Sequence, residues 1–171
     1  MGKIYVISDT HFNHKNIIEY CNRPFKTVEE MNEVLIKNWN DVVSQEDTII
    51  CLGDFVLGTK ENIIEIGTKL NGHKILILGN HDRGTKLAYK EAGFETVYGE
   101  HAIIDFGKDI GIIEFSHHRK DDSHYRNLYG HQHDKPLDDE SHRCVCVELY
   151  NYKPILLEDA IENLKEPEDK N

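Results

Sequence analysis

Lys3-Ile4-Tyr5-Val6-Ile7-Ser8-Asp9-Thr10-His11-Phe12 is the stretch on which the fold turns. Its β-branched and aromatic run, closed by polar residues, reads as a short buried strand. Asp9 and His11 stand at the C-terminal end of that strand, two apart, where an extended backbone sends both side chains to one side. The arrangement recurs twice. Thr48-Ile49-Ile50-Cys51-Leu52 runs into Gly53-Asp54, and Lys74-Ile75-Leu76-Ile77-Leu78 runs into Gly79-Asn80-His81-Asp82. A short helix over 13–19 and a long one over 28–43 separate the first two strands. The long one carries a helical stripe of Met31, Val34, Leu35, Trp39 and Val42 behind the capping-box spacing Thr27-Val28-Glu29-Glu30. A helix over 60–70, stopped by Asn71-Gly72, separates the second and third strands. A further helix is expected over 85–92 and a short strand over 94–97.

The pattern then changes. Residues 102–106 and 110–115 flank Gly107-Lys108-Asp109 as a β-hairpin. Residues 127–129 lead into Gly130-His131-Gln132-His133. Residues 143–149 and 153–157 read as two more strands, 158–164 as a last helix, and 165–171 as a charged tail that frays. Successive βα units followed by a hairpin predict an α/β core extended by a more antiparallel sheet, within one domain spanning 1–171. Open α/β sheets place ligands at strand C-termini, so the polar clusters converge on one edge.

Composition narrows the class. The chain has 171 residues, 39% hydrophobic and 30% charged, which suits a globular domain. It has no apolar run of the ~20 residues that would span a bilayer. The N-terminus enters a strand at once and resembles no signal peptide, so a cytoplasmic location is expected. A net charge of −11 weighs against a broad grip on nucleic acid. The four cysteines, at 21, 51, 144 and 146, lack the C-x₂-C spacing of a metal knuckle and are expected to be reduced thiols. The 11 histidines fall mostly in short clusters.

Five segments gather the chemistry: Asp9-Thr10-His11, Gly53-Asp54, Gly79-Asn80-His81-Asp82, Ser116-His117-His118 and Gly130-His131-Gln132-His133. Each follows a β-like run. Together they offer carboxylate oxygen, amide oxygen and imidazole nitrogen, a mixture that suits Mn, Fe or Zn better than Mg or Ca. The glycines let the backbone turn sharply beside an ion.

The order of these segments resembles the calcineurin-like metallophosphoesterase superfamily, over residues 3–161. It is most similar to the small single-domain members of bacteria and phages, which share the opening Ile7-Ser8-Asp9-Thr10-His11-Phe12. The resemblance implies a four-layer α/β/β/α sandwich of two mixed sheets flanked by helices. It implies two divalent transition-metal ions, manganese favoured and iron, zinc or nickel tolerated. Asp9, His11 and His133 would hold one metal, Asn80, His117 and His131 the other, and Asp54 would bridge them. His117 rather than His118 is the ligand by the family pattern, which leaves His118 nearer the substrate.

The implied reaction is hydrolysis of a phosphodiester by a metal-activated hydroxide. His81 would stand by the leaving-group oxygen, with Asp82 orienting its ring. The expected substrate is a small phosphodiester or nucleotide. A nuclease on DNA or RNA is the first alternative, a phosphomonoesterase or protein phosphatase the second, and a non-catalytic metal-binding scaffold the last. No membrane partner is expected, and oligomeric state is not legible. Substrate contacts are expected from His14, Arg83, His118, Arg119 and Arg126, with Asn16, Arg23, His124 and Tyr125 as lesser candidates.

Overall fold

The computed structural model describes residues 2–167. Two sheets pack face to face. The first has the order β4-β3-β2-β1-β9 and the second β5-β6-β7-β8. Strands β1 (Ile4–Ile7), β2 (Thr48–Cys51), β3 (His73–Ile77) and β4 (Phe94–Tyr98) run parallel, and β9 (Ile155–Leu156) joins β1 antiparallel. The expected hairpin forms from β5 (His101–Asp105) and β6 (Ile112–Ser116). The second sheet is less antiparallel than the sequence suggested, because β7 (Arg126–Tyr129) and β8 (His142–Cys144) both add in parallel. The result is a sandwich of two mixed sheets with flanking helices, as expected.

Alternation along the central strands builds two cores. Tyr5, Ile7, Ile49, Cys51 and Leu76 face α2 (Val28–Val42), α3 (Lys60–Gly67) and α4 (Lys86–Glu91), meeting Met31, Leu35, Trp39, Ile63 and Tyr89. Val6, Ile50, Leu52 and Ile77 face the other way, onto Ala102, Ile113, Phe115 and Leu128 of the second sheet. With both faces covered, β1, β2 and β3 must be apolar throughout, which is why they read as continuous runs. Leu157 and Ala160 of α5 (Leu157–Ile161) join the inter-sheet core. No helix among the described residues is long and apolar enough to cross a membrane.

Several local expectations shift. The first helix, expected to open at Asn13 or His14, shrinks to α1 (Ile17–Tyr20): Asn13 takes left-handed backbone, which no helix can pass through, and residues 15–16 form a turn. At α2 the Thr27 hydroxyl accepts from Glu30 N, but the Glu30 carboxylate accepts from Lys26 N rather than from the cap residue. The strand expected over 143–149 stops at Cys144, and Val147–Tyr150 forms a 3₁₀ turn instead. Of the tail expected to fray, residues 168–171 lie outside the described residues, while Lys165 pairs with Glu140 and Glu166 with Arg126. The four cysteines are free thiols, three of them buried.

Candidate metal centre

Five strand ends deliver the histidines and carboxylates to one edge of the sandwich. Asp9 and His11 follow β1, Asp54 follows β2, Asn80 and His81 follow β3, His117 and His118 follow β6, and His131 and His133 follow β7. Asp9, His11, Asp54, His131 and His133 all have positive φ, between 49° and 69°. That conformation costs an L-residue on the order of 1–3 kcal/mol and persists where surrounding structure holds it. Here backbone bonds do so: Asp9 N donates to Gly53 O at 3.1 Å and His11 N to Asp54 O at 2.9 Å.

Asp9 is fully buried, and its two oxygens are unlike. Oδ2 accepts from Ser8 Oγ at 2.5 Å, His131 N at 2.8 Å and Cys146 Sγ at 3.2 Å. Oδ1 is buried without a hydrogen-bond partner, as is His11 Nε2. The two atoms lie 3.6 Å apart, and His133 Nε2 lies 3.7 Å from the same oxygen. Buried polar atoms rarely go unpaired. These three aim at a common point, which fits a cation held by Asp9, His11 and His133. Burial would raise the Asp9 pKa, but the His11 contact and the charges of His117 and His133 hold it well below the carboxylate range.

A second group shares Asp54. Its Oδ1 accepts from His81 N at 2.8 Å, while Oδ2 lies 3.4 Å from both His11 Nε2 and His117 Nε2. The His117 Nδ1 proton is given to Leu52 O at 2.8 Å, which turns Nε2 towards Asn80 Oδ1, 2.9 Å away. Fixing the far nitrogen in this way sets the tautomer of a metal-binding imidazole. Burial works to lower the His117 pKa. The Asp54 contact and the charges of Asp9 and Asp54 outweigh it and push it up to about 9. The rings of His118 and His131 meet at a tilt of 48°, 4.3 Å between centroids, and with His117 their ligand atoms fall within 4.8 Å of one another. The His131 pKa is lowered, by burial first and then by His117 and His118.

Behind the first group, Glu148 Oε1 lies 2.9 Å from His133 Nδ1 and takes two hydrogen bonds from buried Arg23, at 2.9 and 2.6 Å. Burial alone would lower the His133 pKa, but Cys21, Glu148 and Asp9 push it up to about 10. Arg23 also donates to the carbonyls of Asp9 and Thr10. The guanidinium therefore braces the strand end that carries Asp9 and is not a substrate contact.

Glycines let the strand ends approach. A Cβ at residue 79 would lie 2.3 Å from Asp54 Oδ1, and one at residue 130 would lie 2.5 Å from Asp9 Oδ2. Both positions are crowded by these carboxylates, so any side chain there displaces Asp54 or Asp9.

Other expected site residues fall differently. His14 is at the centre, with Nδ1 3.1 Å from His11 Nδ1, and its pKa is lowered to about 4 by burial and by His11 and His81. The His81 ring sits 5.5 Å from that of His11 and 5.8 Å from that of His14. Asp82 does not orient it. Its carboxylate turns back into the strand ends, accepting from Asp54 N, Phe55 N, Gly79 N and Tyr89 Oη, and it ties the second and third strand ends together. Burial raises its pKa. Arg119 pairs with Asp121 and Asp139, and Arg126 with Glu166, so neither faces the centre. Arg83 is exposed. His118 lines a cleft of about 370 Å³ with Glu100 and Lys120, while His124 and Tyr125 line a different hollow.

Glu148 and Tyr20 went unnoticed in the sequence. Glu148 carried one signal, a lone charge in the apolar run Cys144-Val145-Cys146-Val147-Glu148-Leu149. Tyr20 carried none. It lines a cleft of about 530 Å³ shared by His11, Asp54, His81 and His133.

Several known proteins resemble this chain in sequence or fold. The family model described as calcineurin-like phosphoesterase matches residues 2–169. The "Uncharacterized protein MJ1445" of Methanocaldococcus jannaschii is 39% identical over 92% of this chain and 89% of its own length. The "Gene 66 protein" of Mycobacterium phage L5 is 41% identical over 48% of this chain and 41% of its own length. Among solved structures, a protein of unknown function, AQ665 from Aquifex aeolicus, superposes with a TM-score of 0.72 at 30% identity, covering 96% of this chain and all (100%) of that one. The Pseudomonas putida nuclease MPE shares the fold, with a TM-score of 0.50 at 18% identity over 76% of this chain and 61% of that one.

Proposed function

The chain belongs to the calcineurin-like phosphoesterase family of metal-dependent phosphoric ester hydrolases, and we propose accordingly that it is a two-metal phosphodiesterase acting on small nucleotide-type diesters. The observation that carries this reading is Asp54 Oδ2, 3.4 Å from one histidine of each donor group. Asp9, His11 and His133 would hold one cation and Asn80, His117 and His131 the other, with Asp54 able to serve both. Manganese suits the mixed oxygen and nitrogen donors. When bound, two such cations supply Lewis acidity at the phosphoryl oxygens and a water nucleophile near neutral pH.

The chain's own groups do the rest. Asp9 and Asp54 offset the cationic charge, and Glu148 and Leu52 O fix the rings of His133 and His117. His81 is held through its backbone to Asp54 and leans over the larger cleft, where it gives a proton to the leaving oxygen as the ester P–O bond breaks. Such a group contributes about 10²–10⁴-fold. The two clefts share no lining residue, one reaching the donor cluster at Asn80 and His117 and the other at His11 and His133, which leaves room for two substituents on one phosphorus. That supports a diester over a monoester.

The test is hydrolysis of bis-p-nitrophenyl phosphate and p-nitrophenyl phosphate by metal-stripped protein, with Mn²⁺, Ni²⁺, Zn²⁺ or Mg²⁺ restored. Diester turnover returns with Mn²⁺ and is lost in Asp54→Asn and His81→Ala. A preference for the monoester would move the reading to a phosphomonoesterase. A nuclease is the second reading, because the Pseudomonas putida neighbour of the same fold is one. The net charge of −11 weighs against it. Competition between a dinucleotide and single-stranded DNA for the site separates the two.

A further inference from the structure

Tyr20 is 72% exposed, more than Leu57, Leu87, Tyr98, Ile103 or Leu137, the other large apolar side chains exposed among the described residues. It ends the four-residue helix α1, which is anchored by buried Ile17 rather than by Tyr20. Among the described residues its hydroxyl has no hydrogen-bond partner. Packing therefore gives no reason for an aromatic here. Its position does: Tyr20 stands at the mouth of the larger cleft. Its ring meets His14 edge to face, with centroids 6.3 Å apart at 85°. The His14 ring in turn lies 5.1 Å from His11 and 5.8 Å from His81. An unbroken aromatic wall thus runs from the donor cluster, past His81, to solvent. The smaller cleft has Glu100 and Lys120 beside His117 and His118 instead.

We infer that the exposed face of Tyr20, its ring braced edge to face by His14, is a stacking platform for a nucleobase carried on the leaving side of the phosphate, so that the ligands are nucleoside phosphates. The assignment rests on the proposed reading of the centre, in which His81 marks the leaving side. Stacking on an exposed π-face tolerates any base, because every base has such a face. Small nucleotides and single strands share that chemistry.

Binding decides it, independently of turnover. The manganese-loaded full chain is titrated by calorimetry with adenosine 5′-monophosphate and with ribose 5-phosphate, beside Tyr20→Phe, Tyr20→Ala and Leu87→Ala. The monophosphate carrying the base binds about tenfold or more tighter. The gap persists in Tyr20→Phe and in Leu87→Ala, which is exposed on α4, and closes in Tyr20→Ala. Equal affinity for both ligands in the wild-type chain, or a gap that survives Tyr20→Ala, overturns the platform and leaves the phosphodiesterase standing. Binding of neither ligand overturns the platform together with the phosphate site itself. A five-residue oligothymidylate assigns the source once the gap is seen. Tighter binding than thymidine 5′-monophosphate points to a strand and equal binding to a small nucleotide, and either result upholds stacking.

Discussion

Glu148 holds His133 from behind, with Oε1 2.9 Å from Nδ1, while the other ring nitrogen faces Asp9 Oδ1. The same oxygen takes both near donors of buried Arg23. One carboxylate therefore orients a proposed ligand and neutralises the guanidinium that braces the strand end carrying Asp9. Glu148→Gln keeps the shape but loses the charge. It should weaken metal binding by about 10–100-fold, read by competition with a chelator. Glu148→Ala strands the Arg23 charge and should cost about 3–5 kcal/mol in urea unfolding. Unchanged metal affinity in the glutamine variant would remove Glu148 from the account.

Gly130 has no room for a methyl group. A Cβ there would lie 2.0 Å from Ser8 Oγ and 2.5 Å from Asp9 Oδ2. Gly130→Ala should cost about 1–3 kcal/mol by overpacking. It should also lower the metal content of purified protein, because Asp9 has to move. A variant that melts like wild type and keeps its full metal load would mean that the crowding relaxes harmlessly.

Arg119 and Arg126 are spent on Asp121, Asp139 and Glu166. Alanine at Arg119 should leave KM for bis-p-nitrophenyl phosphate as it is. Alanine at Arg126, which is mostly buried beside Gly111, should lower thermal stability with KM likewise unchanged. A raised KM in either would return that arginine to the substrate.

Asp47 ties the end of α2 to the start of the first sheet, accepting from Lys3 N, Ser44 N and Ser44 Oγ at 2.7–2.8 Å. Those hydrogen bonds lower its pKa below the usual carboxylate value. A depressed folded pKa gives stability that is complete above the unfolded value of ~3.9 and fades as pH falls through the folded one. Asp47→Asn should therefore lower stability at pH 7, read as a lower urea midpoint. The difference from wild type should narrow in acid. A gap independent of pH would place the loss elsewhere.

The strands that carry the centre were legible because burial on both faces forces continuous apolar runs, and their ends were marked by Asp9-Thr10-His11, Gly53-Asp54 and Gly79-Asn80. The supporting shell was not. Glu148 reaches His133 only because Val147–Tyr150 coils into a 3₁₀ turn where alternation suggested a strand. Arg23 looked like a loop cation, yet its side chain is fully buried, and burial of that kind depends on contacts 125 residues away. Asp82 sits beside His81 in sequence, but the turn sends its carboxylate back to the backbone of Asp54 and Phe55. The parallel addition of β7 and β8 has no local signature either, since a connection's length does not fix its direction.

The most direct test of the two-metal centre is anomalous scattering from crystals grown with Mn²⁺. The account predicts two manganese peaks roughly 3.5–4 Å apart. Asp54 should lie between them, Asp9, His11 and His133 should ligate one, and Asn80, His117 and His131 the other. A single peak, or a pair that Asp54 does not touch, would contradict it.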